Sequence, residues 1–238
     1  MMPNNYFQFK QFTIKQDQCA MKVCTDACLF GSVAAGSGLP ITSCLDIGAG
    51  TGLLALMFAQ QNKEVIINAV EMDASAAEQA RENVAASPWA DRIHVFHEDI
   101  VNFNAGKKYD CIISNPPFFE DDLLSPDNAK NNAKHHSSLS LIRLLQVVQK
   151  QLATGGYFAV LLPFHRVDYF IDEALRFGLH LYRQVSVKQT PRHSFFRGIL
   201  FFGHDKMVPQ KNEIIIKDKE NQYSVEFAAL LKEYYLYL

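Results

Sequence analysis

A chain of 238 residues with 48% hydrophobic and 20% charged residues can bury one sizeable core, which sets aside a disordered or fibrous protein. Its formal net charge of −2 excludes a surface that is basic throughout, so contact with nucleic acid must come from a local patch. No apolar run approaches the roughly 18 to 20 residues of a membrane-spanning helix. The first ten residues lack the layout of a secretion signal, and five cysteines form no paired framework, so the cytoplasm is the expected setting. Cys19, Cys24 and Cys28 lie close together without a fourth ligand and match no common zinc spacing; no metal is expected.

In chain order, Phe7, Phe9, Phe12 and Ile14 largely alternate with polar residues, which predicts a small N-terminal hairpin. Ser43–Ile47 reads as a short apolar strand and Gly52–Gln61 as the helix after it. Glu64–Val70 is a β-branched strand, and Asp73 caps a helix reaching Ala86, stopped by Pro88. Ile93–His97 and Tyr109–Ser114 are two further buried strands. A helix from Ser138 to Leu152 is expected to end at Gly155 and Gly156, before a fifth strand, Tyr157–Leu162. After a helix over Val167–Phe177, Leu179–Lys188 and Phe195–Gly203 read as an antiparallel pair, and Ser224–Tyr234 as a final helix. Strand alternating with helix means a mostly parallel sheet covered on both faces. There are no repeats and no low-complexity tracts.

Ligands of open parallel sheets bind at the carboxyl ends of the strands. The first four such ends carry Asp46, Glu71, Glu98-Asp99 and Asn115, each directly after an apolar run. One acid at a strand end is commonly a helix cap or a solvated turn; four in sequence are harder to dismiss. The first end reads Asp46-Ile47-Gly48-Ala49-Gly50-Thr51-Gly52, where glycines permit a tight turn and close approach of a ligand to backbone. A dinucleotide fold would show Gly-x-Gly-x-x-Gly to cradle a pyrophosphate. The spacing here instead resembles the first motif of class I S-adenosylmethionine methyltransferases.

That resemblance implies a Rossmann-like, seven-stranded α/β methyltransferase sheet with an antiparallel C-terminal hairpin, plus the N-terminal hairpin and a helix. It implies S-adenosylmethionine as cofactor and S-adenosylhomocysteine as product. The implied cofactor residues are Asp46, Gly48, Ala49, Gly50 and Gly52, then Glu71 on the ribose hydroxyls and Asp99 on the adenine amine. Met72 and Ile100 would sandwich the purine, although plain core packing would explain them as well.

The fourth end, Asn115-Pro116-Pro117-Phe118, is a stiff turn whose prolines fix φ and remove two backbone donors. An exocyclic amine on a purine is a weak nucleophile because its lone pair is delocalised into the ring. An acceptor pair formed by the Asn115 side-chain oxygen and the Pro116 carbonyl would stabilise charge developing on that nitrogen, and Phe118 would stack on the base. This tetrapeptide resembles the signature of methyltransferases acting on planar nitrogens of adenine, guanine or glutamine. Met21-Lys22-Val23-Cys24-Thr25-Asp26-Ala27 resembles the Met-Lys-Val-Gly-Thr-Asp segment of the bacterial tRNA-Val adenine-N(6)-methyltransferase family, with Cys24 where the family has glycine. The likeness spans nearly the whole chain. It implies methyl transfer to an adenine amine in the anticodon loop of tRNA by one domain, residues 1–238, acting as a monomer. Residues 1–36 would be an extension contributing Lys22, Thr25 and Asp26 to the cofactor site, although Thr25 and Asp26 also suit a helix N-cap.

Basic residues placed for RNA are Lys130, Lys134, His135 and His136, within a stretch from Glu120 to His136 that reads as a flap, and Arg166, Lys188, Arg192, His193 and Arg197. Phe195 and Phe196 are candidates for base stacking. Rival readings are a protein-glutamine methyltransferase, which typically has tyrosine at the position of Phe118 and an added helical domain, a DNA adenine methyltransferase, and a cofactor-binding module without catalysis.

Overall fold

The computed structural model describes residues 5–19, 21–117 and 140–238. The N-terminal alternation folds as an antiparallel ribbon of β1 (Tyr6–Gln8) and β2 (Thr13–Lys15), with Ile14 buried between exposed neighbours. Next come α1 (Thr25–Ala35), β3 (Ser43–Ile47), α2 (Leu53–Gln61), β4 (Ile66–Glu71) and α3 (Ala74–Ala85). Asp73 caps α3 as expected, its carboxylate accepting from the Ala76 N–H at 2.8 Å. Then follow β5 (Ile93–His97), β6 (Tyr109–Ser114), α4 (Leu141–Gln151), β7 (Leu152–Pro163), a 3₁₀ turn (Phe164–Arg166) and α5 (Val167–Arg176). The chain continues through β8 (His180–Lys188), β9 (Phe195–Gly203), β10 (Gln210–Ile215) and α6 (Val225–Leu231).

Eight strands form the main sheet in the order β10-β8-β9-β7-β6-β3-β4-β5. The five from β7 to β5 are mutually parallel, and β9 runs antiparallel to both β7 and β8, giving the expected hairpin. The count is one more than seven because β10 pairs in parallel with β8 at the edge. Four of its six residues are exposed, so no period-two apolar pattern announces it. The glycines at 155 and 156 also differ from expectation. They lie within β7, where the pairing register with β6 slips between Tyr109 and Cys111. Gly155 has φ of +77°, and a Cβ on Gly156 would stand 2.8 Å from the Asp110 carbonyl oxygen, so these glycines shape a bulge rather than end a helix.

The two faces of the sheet are covered differently. On one face, α1 and α2 are buried on nearly every side, because the N-terminal ribbon and the C-terminal segment close over them. Ser32 Oγ donates to the Leu230 carbonyl at 2.6 Å, and the Tyr234 hydroxyl donates to the Met57 carbonyl at 3.1 Å. On the other face α4 and α5 bury a single stripe, including Leu144, Leu145, Val148 and Phe170. From β3 the chain moves outward to β4 and β5, then returns to the opposite side of β3 for β6. The strand order therefore reverses between the carboxyl ends of β3 and β6, which is where such sheets open a crevice.

Candidate active site

At the switch point the Ser114 hydroxyl, buried, donates to the Ile47 carbonyl at 2.9 Å and ties the end of β6 to the end of β3. Register then places the polar strand ends side by side. Ile47 pairs with Ser114 on one flank and with Val70 on the other, and Glu71 pairs with His97. Asn115, the Asp46–Gly52 turn, Glu71 and Asp99 thus follow one another along a single edge, in the spatial order β6, β3, β4, β5.

The turn after β3 is shaped by its glycines. Gly48, Gly50 and Gly52 have φ of +72°, +54° and +80°, values that side chains rarely tolerate. The N–H groups of Gly48 and Ala49 both donate to the Val70 carbonyl, at 2.9 and 3.2 Å, folding the turn back across β4. A Cβ on Gly48 or Gly50 would meet no atom within 4 Å, so the outer surface of this turn borders open space. Gly50 N–H donates to Glu71 Oε2 at 2.8 Å and Asp73 N–H donates to Oε1 at 2.9 Å. Glu71 is therefore held in place while each oxygen keeps further accepting capacity.

Asp46 is fully buried and neither carboxylate oxygen has a hydrogen-bond partner among the described residues. Desolvation pushes its pKa up to about 7; the Ala55 amide pulls the other way without closing a hydrogen bond, and the charge of Glu71 adds to the rise. An unpartnered buried carboxylate is costly unless something else satisfies it. Asp99 Oδ1 accepts from the Val101 N–H at 3.0 Å, Ile100 is buried beside it, and Met72 is half exposed. Asn115 repeats the pattern of Asp46: its Oδ1 is buried without a partner among the described residues, while Nδ2 lies 3.8 Å from Met21 Sδ. Pro116 is buried and Pro117 exposed. Phe118, the Glu120–His136 stretch and the basic residues Lys130, Lys134, His135 and His136 lie outside the described residues.

The N-terminal candidates divide. Lys22 is exposed, and Thr25 and Asp26 are half-buried in the first turn of α1. Cys24, not Thr25 or Asp26, is the N-cap, and its side chain makes no capping bond. Asp26 instead accepts from Arg197 Nε at 2.6 Å, joining α1 to β9 beside the carboxyl end of β7, where Arg197 pairs with Pro163. Sequence reasoning did not single out Met21, which reaches Asn115, nor Gln79 and Asn83, which are buried on α3. Asn83 Oδ1 accepts from the Lys15 N–H at 2.8 Å, and its Nδ2 donates to the carbonyls of Lys15 and Thr51, each at 3.0 Å. Gln79 Oε1 accepts from the Gln18 N–H at 3.1 Å and its Nε2 donates to Asp17 at 2.7 Å. These amides, four residues apart on an otherwise alanine-rich buried face, clamp the N-terminal segment against the glycine turn; two amides on an apolar stripe were the available signal.

Among the described residues there is no group of three or more His, Cys, Asp or Glu placed to hold a metal, and no helix long and apolar enough to cross a membrane. The arrangement offers an elongated acceptor-lined edge with carboxylates at one side and an amide oxygen at the other.

Comparison with known proteins points the same way. A family model described as the methyltransferase small domain matches residues 37–161. A protein of Dyadobacter fermentans named tRNA1(Val) (adenine(37)-N6)-methyltransferase is 44% identical over 241 residues, covering 99% of this chain and 99% of its own. One of the same name from Bacteroides thetaiotaomicron is 41% identical over 238 residues, covering 100% of each chain. Among solved structures, a predicted O-methyltransferase from Agrobacterium tumefaciens aligns with a TM-score of 0.67 at 16% identity, over 87% of this chain and 96% of its own. A glycopeptide N-methyltransferase complexed with (S)-adenosyl-L-methionine aligns with a TM-score of 0.56 at 13% identity, over 79% of this chain and 97% of its own. At such identities the two structures bear on the fold alone.

Proposed function

The chain belongs to the family of tRNA1(Val) (adenine(37)-N6)-methyltransferases, and we propose that the carboxyl edge of its sheet carries the family's reaction with Asn115 at the reacting end. It is an S-adenosylmethionine-dependent enzyme that methylates the exocyclic amine of an adenine in tRNA. The base is the one at position 37, as in the relatives' names, and we place it in the anticodon loop. The single observation that carries the residue assignment is the pair of orphaned buried acceptors, Asp46 and Asn115 Oδ1, at adjoining strand ends.

When bound, S-adenosylmethionine supplies an electrophilic methyl group. The turn of Gly48, Ala49, Gly50 and Gly52, the Asp46 and Glu71 carboxylates, and Asp99 with Met72 and Ile100 would hold it, the last three at its adenine. Four neighbouring strands at about 4.8 Å spacing give this edge a length of roughly 15 Å, which suits an extended adenosine derivative. Asn115 Oδ1 and the Pro116 carbonyl accept the two amino hydrogens of the target adenine, so charge that develops on nitrogen is met by fixed dipoles. Pro116 and Pro117 hold those acceptors still, and Phe118 stacks on the base. No residue need act as a base before transfer, since the cationic product loses its proton to water. Lys22 and Thr25 would border the cofactor from the N-terminal side, and Asp26, held by Arg197, would stand beside them. The whole chain acts as one methyltransferase domain, as a monomer, in the cytoplasm, with residues 1–36 completing the pocket.

Purified protein given methyl-labelled S-adenosylmethionine and tRNA from cells lacking the modification will place label in N6-methyladenosine, read by nucleoside mass spectrometry. Asn115→Ala will keep its affinity for S-adenosylhomocysteine within about threefold and lose about 10²–10³ in kcat. Label appearing in a release-factor protein or in DNA, and not in tRNA, overturns the proposal.

A further inference from the structure

A groove of about 630 Å³ runs between the loop from Ile100 to Lys108 and the outer face of α4. Its walls carry Lys107, Lys108, Arg143 and Lys150, all exposed, and no Asp or Glu. In a chain with 25 acidic and 23 basic side chains, four cations lining one groove without a carboxylate is a marked local excess. None of the four forms an ion pair among the described residues. The contrast with basic residues on the other flank of the site is informative. Lys188 lies 3.5 Å from Glu213 and Arg197 lies 2.6 Å from Asp26, so part of their charge is already answered within the protein.

The groove is continuous with the active edge. Ile100 and Val101 at its mouth directly follow Asp99, and Arg143 stands in the first turn of α4, at the end that leads in from the catalytic turn. Lys107 and Lys108 immediately precede β6 and so stand at the opposite edge of the sheet. Arg143 and Lys150 are seven residues apart, two turns along one helix face, which separates them by about 10 Å.

We infer that this groove seats the phosphodiester backbone of the substrate tRNA, holding the strand while its target adenine is presented to Asn115. The inference rests on tRNA being the substrate. Backbone contacts of this kind position a nucleic acid without reading its sequence, and their strength depends on salt through counterion release.

The test compares the full-length protein with the variant carrying Lys107→Ala, Lys108→Ala, Arg143→Ala and Lys150→Ala, and with the charge-reversed pair Arg143→Glu and Lys150→Glu. For each, tRNA affinity is measured across a salt series, together with kcat, the KM for tRNA and the Kd for S-adenosylhomocysteine. The quadruple variant is expected to lower the slope of log K against log salt by about 2–3 and to raise the KM for tRNA at least tenfold. Its kcat at saturating tRNA and its cofactor Kd stay within about twofold of wild type, which a folding defect would not allow. The reversed pair raises KM by a similar factor. Variants that bind and methylate tRNA as wild type does, with unchanged salt slope, overturn the inference while leaving the enzyme's assignment standing. A wild type that labels no tRNA removes the assignment itself.

Discussion

Replacing Asp46 by asparagine separates the burden of a buried carboxylate from its use. Asp46 is fully buried with both oxygens unpartnered among the described residues, and desolvation raises its pKa from 3.8 to about 7. Between those two values the folded protein keeps a proton that the unfolded chain has released, so stability falls as pH rises through that window. Above pH 7 the penalty is constant. At about 1.4 kcal/mol per unit, a rise of about three units sets the full penalty near 4 kcal/mol, of which roughly a third is already present at pH 5. Asparagine has the same outline and does not titrate. Urea unfolding of the cofactor-free proteins at pH 5 and pH 8 should therefore show wild type losing about 2–3 kcal/mol more than Asp46→Asn over that interval. In a chain of this size the difference corresponds to about 5–10 °C in Tm. The same substitution should weaken S-adenosylhomocysteine binding at pH 8 at least tenfold, because the charged acceptor is gone. Unfolding free energies of the two proteins that run parallel across the pH range would refute the reasoning, as would unchanged cofactor affinity.

Asn83→Ala removes the amide that joins Lys15 to the Thr51 carbonyl, leaving three backbone groups without their partner. It should lower stability by about 2–3 kcal/mol and open the N-terminal segment to limited proteolysis ahead of the rest of the chain. Gly50→Ala forces a side chain to adopt φ of +54° and points a methyl into the open space beside Glu71. The expected result is a loss of about 1–2 kcal/mol in stability, read by urea titration, with a cofactor Kd raised at least tenfold by calorimetry.

The central sheet and its working edge were legible because hydrophobic period and local punctuation agree there. Ser43–Ile47, Ile93–His97 and Tyr109–Ser114 are short apolar runs bounded by polar residues, and each is a strand with the bounds its sequence suggests. Parallel pairing in the order β6-β3-β4-β5 then makes Asp46, Glu71, Asp99 and Asn115 neighbours. What escaped depends on partners distant in sequence. The ion pair of Asp26 with Arg197 links positions 171 apart, which no local pattern announces. Gly155 and Gly156 resemble a helix stop, yet the close Asp110 carbonyl makes them a bulge in β7. Gln210–Ile215 pairs at an edge with one face in solvent, so its polar composition hides a strand. The amides of Gln79 and Asn83 find their meaning only once β2 is folded against α3.

The claim on which all else depends is that four strand ends build one cofactor pocket abutting the Asn115 acceptor. A crystal structure with S-adenosylhomocysteine tests it most directly. The account predicts the ribose hydroxyls on Glu71, the adenine between Met72 and Ile100 near Asp99, and the sulfur directed toward Asn115. Density for the ligand elsewhere, with Asp46, Glu71 and Asn115 all out of contact, would contradict it.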